Sequence, residues 1–528
     1  MTAAKIIIGT RGSELALWQA NFTKKLLEKN GHTVEIKIIS TAGDRSQQWN
    51  TAWDKMEGKG FFTKELEEAL LSKEIDLAVH SYKDLPTEEV KGLTIAGVSK
   101  REDPSEILII RKEKVDEKQK FRLKSDAIVG TSSARRKSQL LAFRPDIKLK
   151  DLRGNVPTRV NKLRSGEYDA IMIALAGVSR LNLNLDDLHT EIISTDEIVP
   201  APAQGVLAWQ TRENDYDLIR AIEKINDEEV QYLCSLEKKV LSLFDGGCQL
   251  PLGILCEKDI DEENKNIWRF TVSKANSWDN QPLQLKMETH HPYDFPDKIV
   301  AHLNQIKSKK IFITKNFREK DYLPNALKKI GFIAQGISLI EFRQISLKDF
   351  PIPDWIFFSS KHAIKYFFQQ KPAIGNAKIG CVGKATAQEL RNFGMKADFI
   401  GQSTDTRMIG KQFASLAGKS KVLFPMAKES LQSVQNQLLN KEQAFNLPVY
   451  ATLKNSIKIS EDFDIVVFTS PSNVDAFFEK NTWRQNYKAV AMGDATGKAL
   501  LRKGIKKYAM PDRFDDLGLY RAILSISN

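Results

Sequence analysis

"KIIIGTRGSELALWQANFTKKLLEKNGHTVEIKIIS", Lys5 to Ser40, decides the architecture of the first part of this chain. Three consecutive isoleucines before Gly9 read as a short buried strand. Ser13 offers a side-chain oxygen to the free N–H groups of a following helix, whose apolar stripe is expected at Leu15, Trp18, Phe22 and Leu26. Asn30 and Gly31 end that helix, because both residue types tolerate the left-handed backbone of a C-terminal cap. "TVEIKIIS", from Thr33, then alternates apolar and polar as a second strand. Strand, helix and strand make a β-α-β unit, for which parallel pairing is expected.

The same grammar recurs downstream. "FFTKELEEALLSKEIDLAVHS" (Phe61–Ser81) reads as a helix and then a buried strand. "AIVGTSSARRKSQLLAF" (Ala127–Phe143) and "IKLKDLRGNVPTRVNKLRSGEYDAIMIALAG" (Ile147–Gly177) add strand-turn-helix units, so α/β layers are expected. From about Glu228 to His302 the pattern changes to a helix, a glycine-rich loop and alternating segments, which fits a small α+β domain. "QIKSKK" (Gln305–Lys310) is a charged junction, and an internal repeat follows it. "FFSSKHAIKYFF" (Phe357–Phe368) matches "VFTSPSNVDAFF" (Val467–Phe478), and "CVGKATAQEL" (Cys381–Leu390) matches "AMGDATGKAL" (Ala491–Leu500). Ser359 and Thr469 lie 110 residues apart, as do Thr386 and Thr496, so two similar α/β lobes are expected.

Composition bounds the function. With 528 residues, 42% of them hydrophobic and 28% charged, the chain has core material for several soluble domains. Its longest apolar run, "AIMIALAGV" (Ala170–Val178), is too short to span a bilayer, and no stretch near Met1 reads as a signal peptide. A cytoplasmic protein without membrane contact is expected. Four cysteines argue against a disulfide framework, and Cys234, Cys248 and Cys256 match no zinc-ligand spacing, so no metal is expected. The net charge of +12 reads either as a basic but ordinary surface or as a sign of a polyanionic ligand, nucleic acid or a small polycarboxylate. Nucleic acid is not expected: the notable arginines sit in short turns after strands, which suits a compact anion, rather than in stripes interleaved with aromatics.

Those turns carry the candidate chemistry. "GTRGS" holds Arg11 and Ser13, and "VHSYKDLP" holds Ser81, Lys83 and Asp84. "GTSSARR" holds Thr131, Ser132, Ser133, Arg135 and Arg136, while "LRGNVPTR" holds Arg153, Gly154 and Arg159. Loops at the carboxyl ends of parallel strands are where α/β proteins bind ligands, and helix N-termini there favour anions. A single arginine reads more readily as a solvated charge; several at equivalent positions read as a carboxylate site. Asp84, an acid among cations, is either a turn former before Leu85-Pro86 or a carboxylate that handles protons and developing positive charge. In "LFDGGCQLPLG" (Leu243–Gly253), two glycines and a proline hold Cys248 on a loop.

Together "GTRGSELALWQA", "GKGFFTKELEEALL", "VHSYKDLP", "REDP", "VGTSSARRKSQL", "LRGNVPTR", "GEYDAIMIALAG", "PAPAQG" and "GGCQLPLG" resemble, in family order, porphobilinogen deaminase (hydroxymethylbilane synthase). The resemblance implies a dipyrromethane cofactor in thioether linkage to Cys248. It implies that Asp84 binds pyrrole N–H groups and steadies positive charge as each porphobilinogen loses ammonia. It also implies that Arg11, Ser13, Lys59, Ser81, Lys83, Thr131, Ser132, Ser133, Arg135, Arg136, Arg153, Gly154, Arg159 and Gln204 hold cofactor and substrate. Two departures stand out: Ala203 replaces a glycine in "PAPAQG", and Ser105 stands where an arginine is frequent.

The second half resembles uroporphyrinogen-III synthase through "FFSSKHAI", "VGKATAQELRNFG", "VYATLK", "VFTSPSNVDAFF" and "AMGDATGKALLRKG". That resemblance implies closure of hydroxymethylbilane to uroporphyrinogen III. Ser359, Ser360, Thr386, Thr469, Ser470, Ser472 and Thr496 would grip carboxylates, and Tyr450 would assist loss of the hydroxyl. Tyr450 also reads as an ordinary strand tyrosine.

The expected fold is multidomain α/β: two periplasmic-binding-protein-like α/β domains, a small α+β domain and a two-lobed synthase-like unit. The expected boundaries are 1–104 with 206–227, 105–205, 228–305, 310–343 with 453–528, and 344–452. A monomeric bifunctional enzyme is expected. The alternatives are a deaminase whose second half is a degenerate tetrapyrrole-binding module, or a binding protein without catalysis.

Overall fold

The computed structural model describes residues 5–41, 63–244, 250–402, 406–430 and 432–528. Contact density divides the chain into two compact units: residues 1–310 with 318–334 and 509–528, and residues 311–317 with 335–508.

In the first unit, the strand β1 (Ile6–Thr10) pairs in parallel with β2 (Val34–Ile38) and β3 (Leu77–Ser81). The sheet is completed by β4 (Leu93–Val98) and a later strand, Leu207–Arg212. A second sheet holds β5 (Glu106–Arg111), β6 (Ile128–Gly130), β7 (Lys148–Lys150), β8 (Ala170–Ala174) and β9 (Leu188–Ile193) in the order β7-β6-β8-β5-β9. Strand Leu207–Arg212, β10, returns to the first sheet. It runs antiparallel to β3 and β4, and β5 runs antiparallel to β8 and β9. The strands of the units read from the sequence pair in parallel as expected, and the reversed strands β5 and β10 lie outside those units. The chain leaves the first sheet after β4 and re-enters it at β10, so each sheet receives one strand from the reverse direction.

The helix after β1, Glu14–Lys29, begins and ends as expected. Ser13 Oγ accepts from Ala16 N at 3.3 Å, and Gly31 takes φ +87° past the cap. Its buried face is a different one. Gln19, Ala20, Thr23 and Leu27 are buried, while Leu15, Trp18, Phe22 and Leu26 are half-buried. Polar side chains turn inward because partners await them. Trp209 Nε1 donates to Thr23 Oγ1 at 2.9 Å, and Gln19 Nε2 donates to Ser81 Oγ at 2.9 Å. Trp18 and Phe22 stack on each other at 5.4 Å, and the Arg180 guanidinium lies over Trp18.

Helix Glu228–Leu243 leads to an antiparallel sheet of β11 (Leu252–Ile260), β12 (Asn266–Lys274) and β13 (Leu283–Thr289), followed by helix Phe295–Gln305. Helices Tyr322–Lys329 and Asp516–Ser525 also belong to this first unit.

The second unit holds the internal repeat. Strand Trp355–Phe358 pairs in parallel with Lys378–Cys381, and Ile465–Phe468 pairs in parallel with Lys488–Ala491. The registers Trp355 to Lys378 and Ile465 to Lys488 keep the 110-residue offset. Each strand pair encloses a helix, Lys361–Phe368 or Pro471–Lys480, capped by Ser360 or Ser470. Aromatic cores fill both lobes, with Phe357, Phe358, Phe367, Phe413 and Phe424 in one and Phe312, Phe468 and Phe477 in the other. At about 1.5–3 kcal/mol for each fully buried large side chain, these clusters dominate the stability of the unit.

Candidate active sites

Strand β3 ends in Ser81, and the next turn, Tyr82–Asp84, is a single 3₁₀ turn that leaves Asp84 exposed. Lys83, the residue before it, is half-buried. Its Nζ donates to Gln204 Oε1 at 3.4 Å, and burial brings its pKa down to about 8. Gln204 has no exposed surface. Its Oε1 also accepts from Arg135 Nη2 at 3.5 Å, while its Nε2 donates to Pro104 O at 2.7 Å and Glu106 Oε1 at 3.1 Å. One amide therefore joins the β3 turn to both segments that cross between the first two sheets.

Helix Ala134–Phe143 starts with Ser133 Oγ accepting from Arg136 N at 3.4 Å. Thr131 Oγ1 accepts from Ser133 N, and the Ser132 hydroxyl bonds to the backbone of Leu152, next to Arg153. Arg135 and Arg136 are 6% and 7% exposed, and both close on Glu106. Arg135 Nη2 lies 2.6 Å from Glu106 Oε1, and Arg136 Nη2 lies 2.8 Å from Oε2. Burial alone would raise the Glu106 pKa, but Arg136, Arg135 and Lys83 outweigh it and hold the carboxyl well below its usual range. Arg135 Nη1 also donates to Val199 O at 2.8 Å and Arg136 Nη1 to Met172 O at 3.3 Å, so protein holds both terminal nitrogens of each arginine.

Glu106 was absent from the sequence expectations. The signal was present: an acid immediately before the buried run "ILII" must find a cation or not ionise. A second buried set lies behind Ser81. His80 Nε2 bonds Gln210 Oε1 at 3.0 Å, and Gln210 Nε2 donates to Glu67 Oε1 at 3.4 Å. Burial brings the His80 pKa down to about 4.

Arg159 Nε donates to Gly154 O at 2.7 Å, and burial, with Arg136 nearby, brings its pKa down to about 10 while Asp84 opposes the shift. Gly154 has φ +112°, and a Cβ there would meet Thr158 at 2.7 Å. Asp84 acts on both Lys83 and Arg159, so these three charges share one neighbourhood. Arg11 and Arg153 are half-buried. Cys248 and Lys59 lie outside the described residues.

In the second unit, Ser360 Oγ accepts from Ala363 N at 3.1 Å and shares a hydrogen bond with Tyr450 OH at 3.2 Å. Tyr450 is 7% exposed and packed by Phe342 and Tyr366; burial raises its pKa. Ser359 is exposed and Thr386 is buried. Thr469 Oγ1 donates to Thr314 O at 2.8 Å, and Ser470 Oγ accepts from Asn473 N at 3.2 Å. Ser472 is half-buried, and Thr496 lies in the first turn of helix Asp494–Arg502, at 4% exposure. These residues fall into two matched sets at strand-to-helix turns: Ser359, Ser360 and Thr386 in one lobe, Thr469, Ser470, Ser472 and Thr496 in the other.

Residues 6–220 match the family model described as porphobilinogen deaminase, dipyromethane cofactor binding domain. Porphobilinogen deaminase of Sulfurimonas denitrificans is 44% identical over 253 residues, covering 47% of this chain and 78% of that relative. The chain belongs to the porphobilinogen deaminase family. The enzyme of Oceanobacillus iheyensis is likewise 44% identical over 260 residues, covering 49% of this chain and 82% of its own length. Residues 300–521 match the model described as uroporphyrinogen-III synthase HemD. The solved synthase from Helicobacter pylori 26695 is 21% identical, covering 41% of this chain and 98% of its own, with a TM-score of 0.32. A deaminase domain and a synthase domain are therefore both present, and the chain is a bifunctional enzyme of tetrapyrrole biosynthesis.

The residues around Asp84 fit a dipyrromethane. Its acetate and propionate arms need buried cationic donors, and Arg136 Nε is buried with no partner. Among the described residues, no helix is long and apolar enough to cross a membrane, and no cluster of three or more histidine, cysteine or acidic side chains could hold a metal.

Proposed function

We propose that Asp84, Lys83, Arg159 and the Arg135–Arg136 pair form the centre that joins porphobilinogen units, with Cys248 as the attachment point of the cofactor. The observation that carries this reading is the placement of one exposed carboxylate beside the half-buried cations Lys83 and Arg159. Porphobilinogen presents two carboxylates and a pyrrole N–H, and the site offers the complement of each. Asp84 accepts the N–H and stabilises the positive charge that develops as the aminomethyl group departs as ammonia. Lys83, Arg159 and the unpartnered Nε of Arg136 fix the carboxylate arms, with the charge of Arg135 beside them and Arg11, Arg153 and the hydroxyls of Ser13, Ser81, Thr131, Ser132 and Ser133 around them. Bound to Cys248, the dipyrromethane supplies an electron-rich pyrrole carbon as the first acceptor.

In the second unit, Ser359, Ser360, Thr386, Thr469, Ser470, Ser472 and Thr496 would hold the carboxylates of linear hydroxymethylbilane at helix N-termini. The Tyr450 hydroxyl, oriented by Ser360, would assist departure of the terminal hydroxyl before ring closure. Of the division 1–104 with 206–227, 105–205, 228–305, 310–343 with 453–528, and 344–452, the sheets among the described residues support the first three segments, each holding the strands of one sheet.

Intact-mass measurement of the purified chain before and after porphobilinogen, followed by isomer analysis of the product, tests the whole reading. A mass equal to the bare polypeptide in an active enzyme removes the thioether. Exclusive formation of the type I ring removes the synthase assignment.

A further inference from the structure

The segment matched by the synthase model and the compact units do not share a boundary. Residues 318–334 and 509–521 fall inside the synthase match, yet they belong to the unit built by the deaminase domains. Helix Asp516–Ser525 shows why. Leu517 to Leu524 are all buried, so the helix has no solvated face over that span. Tyr520, fully buried, donates from its hydroxyl to Pro282 O at 3.0 Å, at the start of β13. Its ring meets Tyr322 edge-on at 5.9 Å, and Tyr322 stacks on Phe143, the last residue of helix Ala134–Phe143, at 4.9 Å. Arg521, at 2% exposure, donates to the Asp196 backbone carbonyl, to Asp196 Oδ1 at 3.3 Å, to Asp512 Oδ2 at 2.9 Å and to Gln284 Oε1 at 3.5 Å. Lys286 reaches the same two acids, at 3.2 and 3.7 Å.

We infer that residues 509–528 are a structural part of the deaminase, docked on β13 and the Asp196 loop through Tyr520 and Arg521, so that the deaminase unit is complete only once residues 335–508 have been made. The argument is one of burial. Without the helix, Leu285 and Gln284, both fully buried, lose the surface that covers them, and the half-buried Asp196 carboxylate loses the buried Arg521 guanidinium. Resting on the reading of residues 6–220 as a deaminase, the arrangement has a chemical use. Linear hydroxymethylbilane closes without help to the wrong ring, and this order of assembly withholds its production until the synthase unit exists.

Hydrogen exchange on the full-length chain tests the docking independently of any activity. Arg521→Met, Asp196→Asn and the double variant are compared with the unsubstituted chain, reading amides in Leu283–Thr289, Asp516–Ser525 and Trp355–Phe358. Each single variant should speed exchange in the first two segments about tenfold or more and leave the third unchanged, with the double no faster than Arg521→Met alone. Unchanged exchange in Leu283–Thr289, or effects that simply add, overturns the docking. Where Arg521→Met gives insoluble protein, Asp512→Asn weakens the same guanidinium from its exposed side and is read by the same criteria. Ammonia release from porphobilinogen should fall in step with lost protection. Full release at wild-type rate from a variant whose Leu283–Thr289 amides exchange freely overturns the dependence of the deaminase on this segment.

Discussion

The Glu106 carboxylate takes the Arg135 guanidinium at 2.6 Å inside the protein, with Glu106 fully buried and Arg135 only 6% exposed. Arg136 binds the second oxygen, so one acid neutralises two buried cations. Glu106→Gln leaves both arginines buried without a counter-charge, at a cost of about 3–5 kcal/mol. The pH dependence has a definite sign. The folded pKa lies below the ordinary 4.5, so the stabilisation is complete above that pH and is lost as pH falls through the lower folded value. Urea unfolding should therefore show a gap between the two proteins at neutral pH that narrows below pH 4.5.

His80 gives an opposite chemistry with the same direction. Its folded pKa of about 4 lies below the ordinary 6.5, so the unfolded chain binds the extra proton first. Stability is full above pH 6.5, declines between 6.5 and about 4, and changes no further from this group below that; the shift corresponds to about 3 kcal/mol. His80→Asn should flatten the melting temperature across that window.

Ala203 sits at φ +58° with no exposed surface. Relief of the left-handed backbone by glycine is worth about 1–2 kcal/mol. Loss of a buried methyl costs about 0.8 kcal/mol. Added freedom of the unfolded chain takes about 0.4–1 kcal/mol more. Ala203→Gly is therefore expected to be neutral within about 0.5 kcal/mol, and Ala203→Val to lose about 2 kcal/mol or more. Thermal melts of both variants check this.

Asp84→Asn keeps the shape of an exposed side chain and removes its charge. The unfolding midpoint should stay within error of wild type while ammonia release falls about a hundredfold or more. A drop of less than tenfold would assign Asp84 to the turn alone.

Tyr450→Phe keeps the ring packing against Phe342 and Tyr366 but loses the bond to Ser360, a stability change of about 1 kcal/mol. The product should shift from the type III toward the type I ring, measured by chromatography of the oxidised porphyrins, with ammonia release unaffected.

Local rules carried much of the fold. Ser13, Gly31 and the 110-residue repeat act over a few residues or by self-comparison, so the sequence displayed them directly. The face of helix Glu14–Lys29 was not legible, because Gln19 and Thr23 turn inward for Ser81 and Trp209, which lie far along the chain. The reversed direction of β5 and β10 escaped for the same reason: antiparallel pairing depends on which sheet the chain next enters. Within the site, the motif residues could be read one by one. Their joining through Gln204 and Glu106 could not, since it depends on contacts spanning about a hundred residues.

Two stretches of chain pass between the first and second sheets, after β4 and before β10, and they are laced together: Glu102 N donates to Gly205 O at 3.1 Å, and Arg101 Nη1 donates to Gln204 O at 3.4 Å. A pair of connectors side by side resists twisting and sliding but yields to bending about one line, as the spine of a book does. Any opening between the first two sheets is thereby confined to one rotation, with Gln204 close to the axis and the turns Tyr82–Asp84 and Thr131–Ser133 on the moving pages.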